Sequence, residues 1–287
     1  METQALTFML TKVLGGRVRE LTGLSGGSIS QVFQVQMTDG RVAVAKWAQD
    51  NPGAMLTIEA NMLRYLRTNT VLPIPEVLHA TPDLLIMSHI EGSSFLSAAA
   101  QAHAAELIAG LHTIRGQSFG FQYTTLIGGL PQPNPQTAYW IPFFREHRLL
   151  YMAREAHHAE KLPQWLRTRI EKMAGSLERW LTEPEYPALI HGDLWTTNIL
   201  AQGKVITGFI DPAIYFAHPE IELAFSTLFD TFDESFFDRY NEIRPIQPGF
   251  FEERRDIYNL YPLLVHVRLF GGGYVNALDR IVTRFGF

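Results

Sequence analysis

An Asp and an Asn stand five residues apart in Leu189-Ile190-His191-Gly192-Asp193-Leu194-Trp195-Thr196-Thr197-Asn198-Ile199-Leu200, and a second Asp, in Phe209-Ile210-Asp211-Pro212, follows Asn198 by thirteen. Phosphoryl transfer to a hydroxyl needs such a set. One carboxylate must lie beside the nucleophilic hydroxyl and accept its proton, and two further oxygen ligands must hold Mg²⁺ on the nucleotide phosphates. A loop presenting Asp193 and Asn198, followed by a hairpin delivering Asp211, brings the three to one point. Singly, each is an ordinary turn or strand-end residue, because Asp and Asn favour turns. Together, at this spacing and inside apolar flanks, they point to chemistry.

The first third of the sequence supplies a matching half. Lys46 shares a strand face with Val42 and Val44, where a lysine has no structural use without an anionic partner. Glu59 follows thirteen residues later, four residues from both Met55 and Leu63, at the border of an apolar helical stripe. A Lys46–Glu59 ion pair would hold the ammonium against the α- and β-phosphates. The plainer alternative is a snorkelling strand-end lysine and a solvated helix glutamate. Gly23, Gly26 and Gly27 lie between Val18–Leu21 and the run that begins at Ile29. Such a loop lets backbone N–H groups approach phosphates, although it also reads as a simple turn.

These residues need elements to hold them. Phe33, Val35 and Met37 alternate with polar residues, Thr38-Asp39-Gly40 follows, and Val42, Val44 and Lys46 resume the alternation, which predicts a hairpin. Met55, Ile58, Met62 and Leu66 predict a helix over about 53–67, ended by Pro73 and Pro75, and Leu84-Leu85-Ile86-Met87 predicts a buried strand. Beyond that the sequence is mainly helical. Ala104, Leu107, Ile108 and Leu111 form one stripe, and residues 139–180 read as helix interrupted at Pro142 and Pro163. Residues 120–135 read as a Gly- and Pro-rich ordered loop. Residues 188–209 are a strand-like interlude, and helices return from Glu220. The division expected is α+β: a small β-rich unit over 1–88 and a larger helical unit over 89–287, joined near Ser88–Gly92.

Composition bounds the rest. The protein has 287 residues, with 46% hydrophobic and 18% charged, so it is globular rather than disordered. A net charge of −5 argues against nucleic-acid binding through a whole-surface positive field. The absence of cysteine excludes disulfide scaffolds, thiolate zinc sites and cysteine nucleophiles. Residues 1–20 carry Lys12, Arg17 and Arg19 with no long apolar core, and no window suits a membrane span. The expectation is a cytoplasmic protein that engages neither membrane nor nucleic acid; oligomeric state is left open.

With those residues in view, the sequence resembles the protein-kinase-like superfamily in its small-molecule branch, since His191-Gly192-Asp193 stands where protein kinases have His-Arg-Asp. The short stretch from Asp211 to Glu220 leaves no room for a long activation loop. Within that branch it is most similar to the fructosamine kinase (ketosamine-3-kinase) family, nearly end to end. The carrying segments are Gly26-Gly27-Ser28-Ile29, Ile127 to Asn134, Trp140 with Phe143 to Leu149, His191 to Asn198, Asp211-Pro212-Ala213 through His218 and Glu222, and Leu269 to Tyr274. Two departures stand out. Thr196-Thr197 occupies a place usually held by Ser-Gly, which bears on the catalytic-loop backbone because Gly tolerates angles that Thr does not, and its effect is left open. Ala138-Tyr139 precedes Trp140, where an acidic residue is usual.

The resemblance implies a two-lobed protein-kinase-like fold with ATP between the lobes. Gly26, Gly27 and Ser28 would lie on the phosphates, and Val44 with Met87, Ser88 and Ile90 beside the adenine. Lys46, fixed by Glu59, would hold the phosphates, while Asn198 and Asp211 hold Mg²⁺. Asp193 would take the proton from the 3-hydroxyl of a ketosamine, free or protein-linked, and the product would break down and release the amine, a deglycation. Trp195 is a candidate to stack on the sugar or to pack, and His266, with Gly271-Gly272-Gly273, to line the acceptor side or to serve the core. Trp140, Phe143 and Phe144 read as core. His157-His158 is a poor metal pair, because adjacent helical side chains point about 100° apart. Two alternatives stand: a kinase of an aminoglycoside or amino alcohol, and a non-catalytic nucleotide-binding module. The intact set Lys46, Glu59, Asp193, Asn198 and Asp211 counts against the latter.

Overall fold

A computed structural model describes residues 2–24, 30–48 and 55–287. The protein opens on helix α1 (Glu2–Leu14), an element not among those expected. Strands β1 (Val18–Leu24), β2 (Gln31–Met37), β3 (Val42–Trp47), β4 (Val77–Ala80) and β5 (Leu84–Ser88) form an antiparallel sheet in the order β1-β2-β3-β5-β4. The predicted hairpin joins β2 to β3. Gly40 takes a φ of 90°, and the Asp39 carboxylate accepts from the Arg41 N–H at 3.1 Å. Strand alternation divides the sheet's two faces. Val35, Met37, Ala43, Ala45, Trp47, Leu84 and Ile86 pack under Leu6 and Leu10 of α1, a pair one turn apart on that helix. The other face carries Val44, Lys46, Leu85 and Met87 toward helix α2 (Met55–Asn69).

The stripe buried on α2 is Leu56, Ala60, Leu63 and Leu66 with Met62, rotated slightly from the expected one, so that Met55 and Ile58 lie at its edge. These side chains join the main core, which continues through Leu126 and Ile127 into the helical region. That region begins with α3 (Ala98–Leu111), whose first turn is capped by the Ser97 hydroxyl accepting from the Ala100 N–H. Residues 120–135 are not wholly loop. They contain the hairpin β6 (Thr125–Ile127) and β7 (Leu130–Gln132), turned by Gly128 and Gly129 at φ of 53° and 77°. Pro131 disguised β7, but a proline is tolerated on so short a two-stranded edge.

Pro142 does not interrupt its helix either. It sits in the first turn of α4 (Trp140–Phe144), where a backbone N–H has no intrahelical acceptor to lose. A π turn leads from α4 to α5 (Tyr151–His158), and Pro163 precedes α6 (Gln164–Ala174). Trp140, Phe143 and Phe144 are fully buried, as expected. Strands β8 (Ala188–Ile190), β9 (Ile199–Gln202), β10 (Val205–Phe209) and β11 (Tyr215–Ala217) carry the polar segment, and α7 (Glu220–Ser226), α8 (Glu234–Ile243), α9 (Arg255–Phe270) and α10 (Gly273–Arg284) follow.

Candidate active site

Strand β8 pairs antiparallel with β11, and the backbone between them makes a catalytic-type loop and the hairpin β9–β10 before returning at Asp211. The two passages are sewn together where the Ala213 N–H donates to the His191 carbonyl at 2.8 Å and the Ile210 N–H to that of Asn198 at 3.0 Å. Gly192 lies at this crossing with φ of 84°, and a Cβ there would sit 2.1 Å from the Ala213 oxygen. Only glycine fits.

Asn198 is buried, and its Nδ2 donates both to the Asp193 carbonyl at 2.9 Å and to Asp193 Oδ2 at 2.8 Å. Both amide hydrogens are thereby engaged, which leaves Asn198 Oδ1 as the available ligand atom. Asp211 adopts φ of 53°, a left-handed angle uncommon for a residue with a side chain. Its Oδ1 meets Lys46 Nζ at 2.5 Å, and the same ammonium meets Glu59 Oε1 at 2.7 Å. Burial opposes the charge on Lys46, but Asp211 and then Glu59 outweigh it, so the ammonium is held charged well above its ordinary range. Burial, with the nearby negative charge of Asp211, pushes the Asp193 carboxyl up to about 7 against the hydrogen bonds it accepts from Asn198 and Trp195. Five polar side chains distant in sequence thus converge.

They share a cavity of about 410 Å³, whose lining includes Lys46, Glu59, Asp193, Asn198 and Asp211 together with Trp195 and His266. Val44, Met87, Ser88 and Ile90 do not line it. Val44 and Met87 are register partners on β3 and β5, and Ile90 packs beside Gly208. The Ser88 N–H donates to the Glu76 carbonyl at 2.8 Å, and the Ser88 hydroxyl accepts from the Glu76 N–H at 2.9 Å, which uses a lone pair of the hydroxyl and not its hydrogen. Gly26, Gly27 and Ser28 lie outside the described residues; Gly23 is inside β1, opposite Phe33.

Thr196 and Thr197 do not distort the loop. They form a 3₁₀ turn with Asn198 and neither takes a positive φ, so glycine's freedom is not needed there. The Thr196 N–H is taken up by the Thr231 hydroxyl at 3.1 Å. With no acid just before Trp140, the first N–H groups of α4 are met by one from a distant segment. The Glu183 carboxylate accepts from the N–H groups of Trp140, at 2.5 Å, and Ile141, at 3.0 Å, and so caps α4 from a distant segment.

Sequence reasoning missed what holds the loop from beneath. Glu222 on α7 is fully buried and accepts from the N–H of Gly192 at 2.7 Å and of His191 at 3.2 Å. His112, at the end of α3, donates from Nε2 to Glu222 Oε2 at 2.9 Å and accepts at Nδ1 from the Tyr240 hydroxyl at 2.7 Å. Burial alone would raise Glu222, but its hydrogen bond from His112 and the backbone donors bring it below its ordinary value, while burial keeps His112 neutral. His112 follows a helix rich in alanine, and nothing in its spacing marks it.

The donors fit a hard divalent cation. Asn198 Oδ1 and the Asp211 carboxylate are oxygen ligands, and among the described residues no group of three or more His, Cys, Asp or Glu forms a self-sufficient metal cage. Mg²⁺ commonly takes one or two protein oxygens and completes its shell with phosphates and water.

The fructosamine kinase family model matches residues 3–285, nearly the whole length. The chain belongs to the fructosamine kinase family. It is 31% identical to the chloroplastic protein-ribulosamine 3-kinase of Arabidopsis thaliana, over 97% of this chain and 86% of that one. It is 32% identical to a Synechocystis protein assigned as a ketoamine kinase, over 93% of this chain and 90% of the other. The crystal structure of a protein assigned as a fructosamine-3-kinase from Thermobifida fusca superposes with a TM-score of 0.84 at 28% identity, covering 98% of this chain and 99% of that one. Aminoglycoside phosphotransferase APH(4)-Ia, solved with ADP and hygromycin B, superposes with a TM-score of 0.72 at 19% identity, covering 99% of each, which fixes the kinase-like α+β fold. Among the described residues, no helix is long and apolar enough to cross a membrane.

Proposed function

We propose that this protein transfers the γ-phosphoryl group of Mg·ATP to a sugar hydroxyl of a ketosamine, with Asp193 as the proton acceptor. The observation that carries the reading is a single ammonium, Lys46, paired with both Glu59 and Asp211 in the wall of a cavity that Asp193 and Asn198 also line. That juxtaposition has the chemistry of a phosphate clamp beside a metal platform and a base. The names of the ribulosamine and ketoamine kinases it resembles support the acceptor class.

Asn198 Oδ1 and Asp211 would hold Mg²⁺, which when bound neutralises charge on the phosphates. Lys46 binds the phosphate oxygens and is kept extended toward them by Glu59. Asp193 accepts the proton as the sugar oxygen attacks phosphorus and the bond to the ADP oxygen breaks. Asn198, by donating to Asp193 Oδ2, leaves the other carboxylate oxygen to face the hydroxyl. The sheet unit over 1–88 and the helical unit over 89–287 are proposed as the nucleotide-binding and acceptor-binding lobes.

The test is ADP release from Mg·ATP with a panel of acceptors: a fructosamine, a ribulosamine, an aminoglycoside and choline. Turnover confined to the ketosamines is expected. Turnover with only the aminoglycoside or choline would transfer the reaction to another acceptor class. Nucleotide binding without turnover of any acceptor would make the protein a binding module and contradict the proposal.

A further inference from the structure

Trp195, His266 and Phe270 line the cavity, and two further rings that none of the steps above uses pack against them. Phe229 and Asp230 are consecutive residues at φ of 61° and 51°. Two such angles in succession, neither on glycine, cost about 1–3 kcal/mol each and persist only where the surroundings enforce them. What they achieve is the placement of one ring. Phe229 lies 4.9 Å from His266 and 5.6 Å from Trp195, centroid to centroid. Tyr274 also stands 4.9 Å from His266, and Phe270 5.9 Å. His266 is therefore surrounded by aromatic rings; Trp195 and Phe270 among them line the cavity, Phe270 with 59% of its surface exposed, while Phe229 and Tyr274 pack against His266 from outside that lining.

The polar chemistry of this ring is one-sided. His266 Nδ1 donates to the Pro262 carbonyl at 2.7 Å, so Nε2 carries the lone pair and is an acceptor. The acids lining the cavity are Glu59, Asp193 and Asp211, and its one basic side chain among the described residues is Lys46, already engaged by two of them. Residues 1, 25–29 and 49–54, which lie outside the described ones, include no Lys or Arg. An acceptor in this cavity meets aromatic faces, a lone pair and negative charge. A protonated amine is attracted by all three. Among the described lining residues a carboxylate meets no cation free of other partners, and Lys161 close by already donates to the Leu269 carbonyl at 2.7 Å, so the charge would stand unpaired at a cost.

We infer that Trp195, His266 and Phe270, held in place by Phe229 and Tyr274 packed on His266, form an aromatic collar that receives the amine-bearing part of the acceptor and selects protonated amines with apolar substituents over those carrying a carboxylate. The inference rests on the kinase reading above and narrows its substrate class.

The experiment compares kcat/KM for three acceptors of one ketose: the N-benzyl amine, the N-(4-carboxybenzyl) amine and the uncharged O-benzyl ether. The benzyl amine is expected to exceed the carboxylated amine by about 20-fold and the ether by about 5-fold, the scale of one unpaired charge and one cation–π contact. Phe229→Ala should reduce the first ratio to about 3-fold through loss on the benzyl amine. Phe270→Arg, at an exposed helix end that favours a cation, should raise kcat/KM for the carboxylated amine at least about 5-fold. ATP binding by each variant reports that it is folded. Equal kcat/KM for the two amines, or a preference that neither substitution moves, overturns the collar while leaving the kinase reading standing. No turnover of any ketosamine overturns the reading beneath it, and the collar with it.

Discussion

Asp193 is a carboxyl that pays for its position with a raised pKa, and its titration has separate effects on activity and stability. A base with a pKa of about 7 must be ionised to accept a proton. The expected profile of kcat/KM therefore rises about tenfold per pH unit below 7 and flattens above it. A profile flat from pH 5 to 9 would remove Asp193 from that role. For stability the sign is opposite. The unfolded carboxyl titrates near its ordinary value of 3.8 and the folded one near 7, so between these limits the folded state binds more protons and stability falls as pH rises. Asp193→Asn should thus melt with the wild type near pH 4 and be more stable by about 2–4 kcal/mol above pH 7. Thermal melts across that range check this, and a variant whose advantage over the wild type is no greater at pH 8 than at pH 4 would contradict it. At this scale the sequence was most informative. Asp193, Asn198 and Asp211 are close along the sequence, and Lys46 betrayed itself as a charge on an apolar face. Trp195 and His266 both line the cavity and also pack against Phe229, a double placement that only the fold reveals.

The elements that hold these residues were less evident, because their ties cross long stretches of sequence. His112 at the end of α3 and Glu222 on α7 are 110 residues apart and meet beneath His191 and Gly192. The pattern of either helix predicts burial of a face, but not that a carboxylate on one would satisfy the loop's N–H groups with a histidine on the other. Glu183 capping α4 is hidden in the same way. So is the rotated stripe of α2, since the sheet above it, not the helix's own periodicity, decides which edge is covered. Glu222→Gln keeps the size but loses the charge-assisted acceptor for two buried N–H groups. It should lower kcat by about 10- to 100-fold, as expected for a displacement near 1 Å at a site that depends on positioning, with the Kd for ATP changed less than about threefold. Steady-state kinetics beside nucleotide titration separate the two, and an equal loss in both would mean a general loosening of the fold instead.

At the scale of the molecule, the β-rich front and helical remainder follow from where hydrophobic period two gives way to period three and four. Two features lay outside that reasoning. Helix α1 rests on one pair of leucines one turn apart, too little signal in a segment read only for a leader. The core itself does not stop at Ser88: Leu56, Ala60 and Leu63 of α2 belong to the same cluster as Leu126 and Ile127. Lys46 bridges the same divide electrostatically, from β3 through Glu59 of α2 to Asp211 beyond β10. The two proposed lobes are thus joined around the site by apolar packing and by one ammonium. The claim that this junction is built for phosphoryl transfer is tested most directly by following ³¹P spectra of the protein with Mg·ATP and a ribulosamine, beside Asp193→Asn. A new sugar-phosphate resonance coupled to a single C–H of the ketosamine's carbon skeleton is expected, formed at least about 1,000-fold more slowly by the variant although it still binds ATP. A sugar phosphate formed at the wild-type rate by Asp193→Asn, or ADP appearing with inorganic phosphate and no phosphorylated sugar, would contradict it.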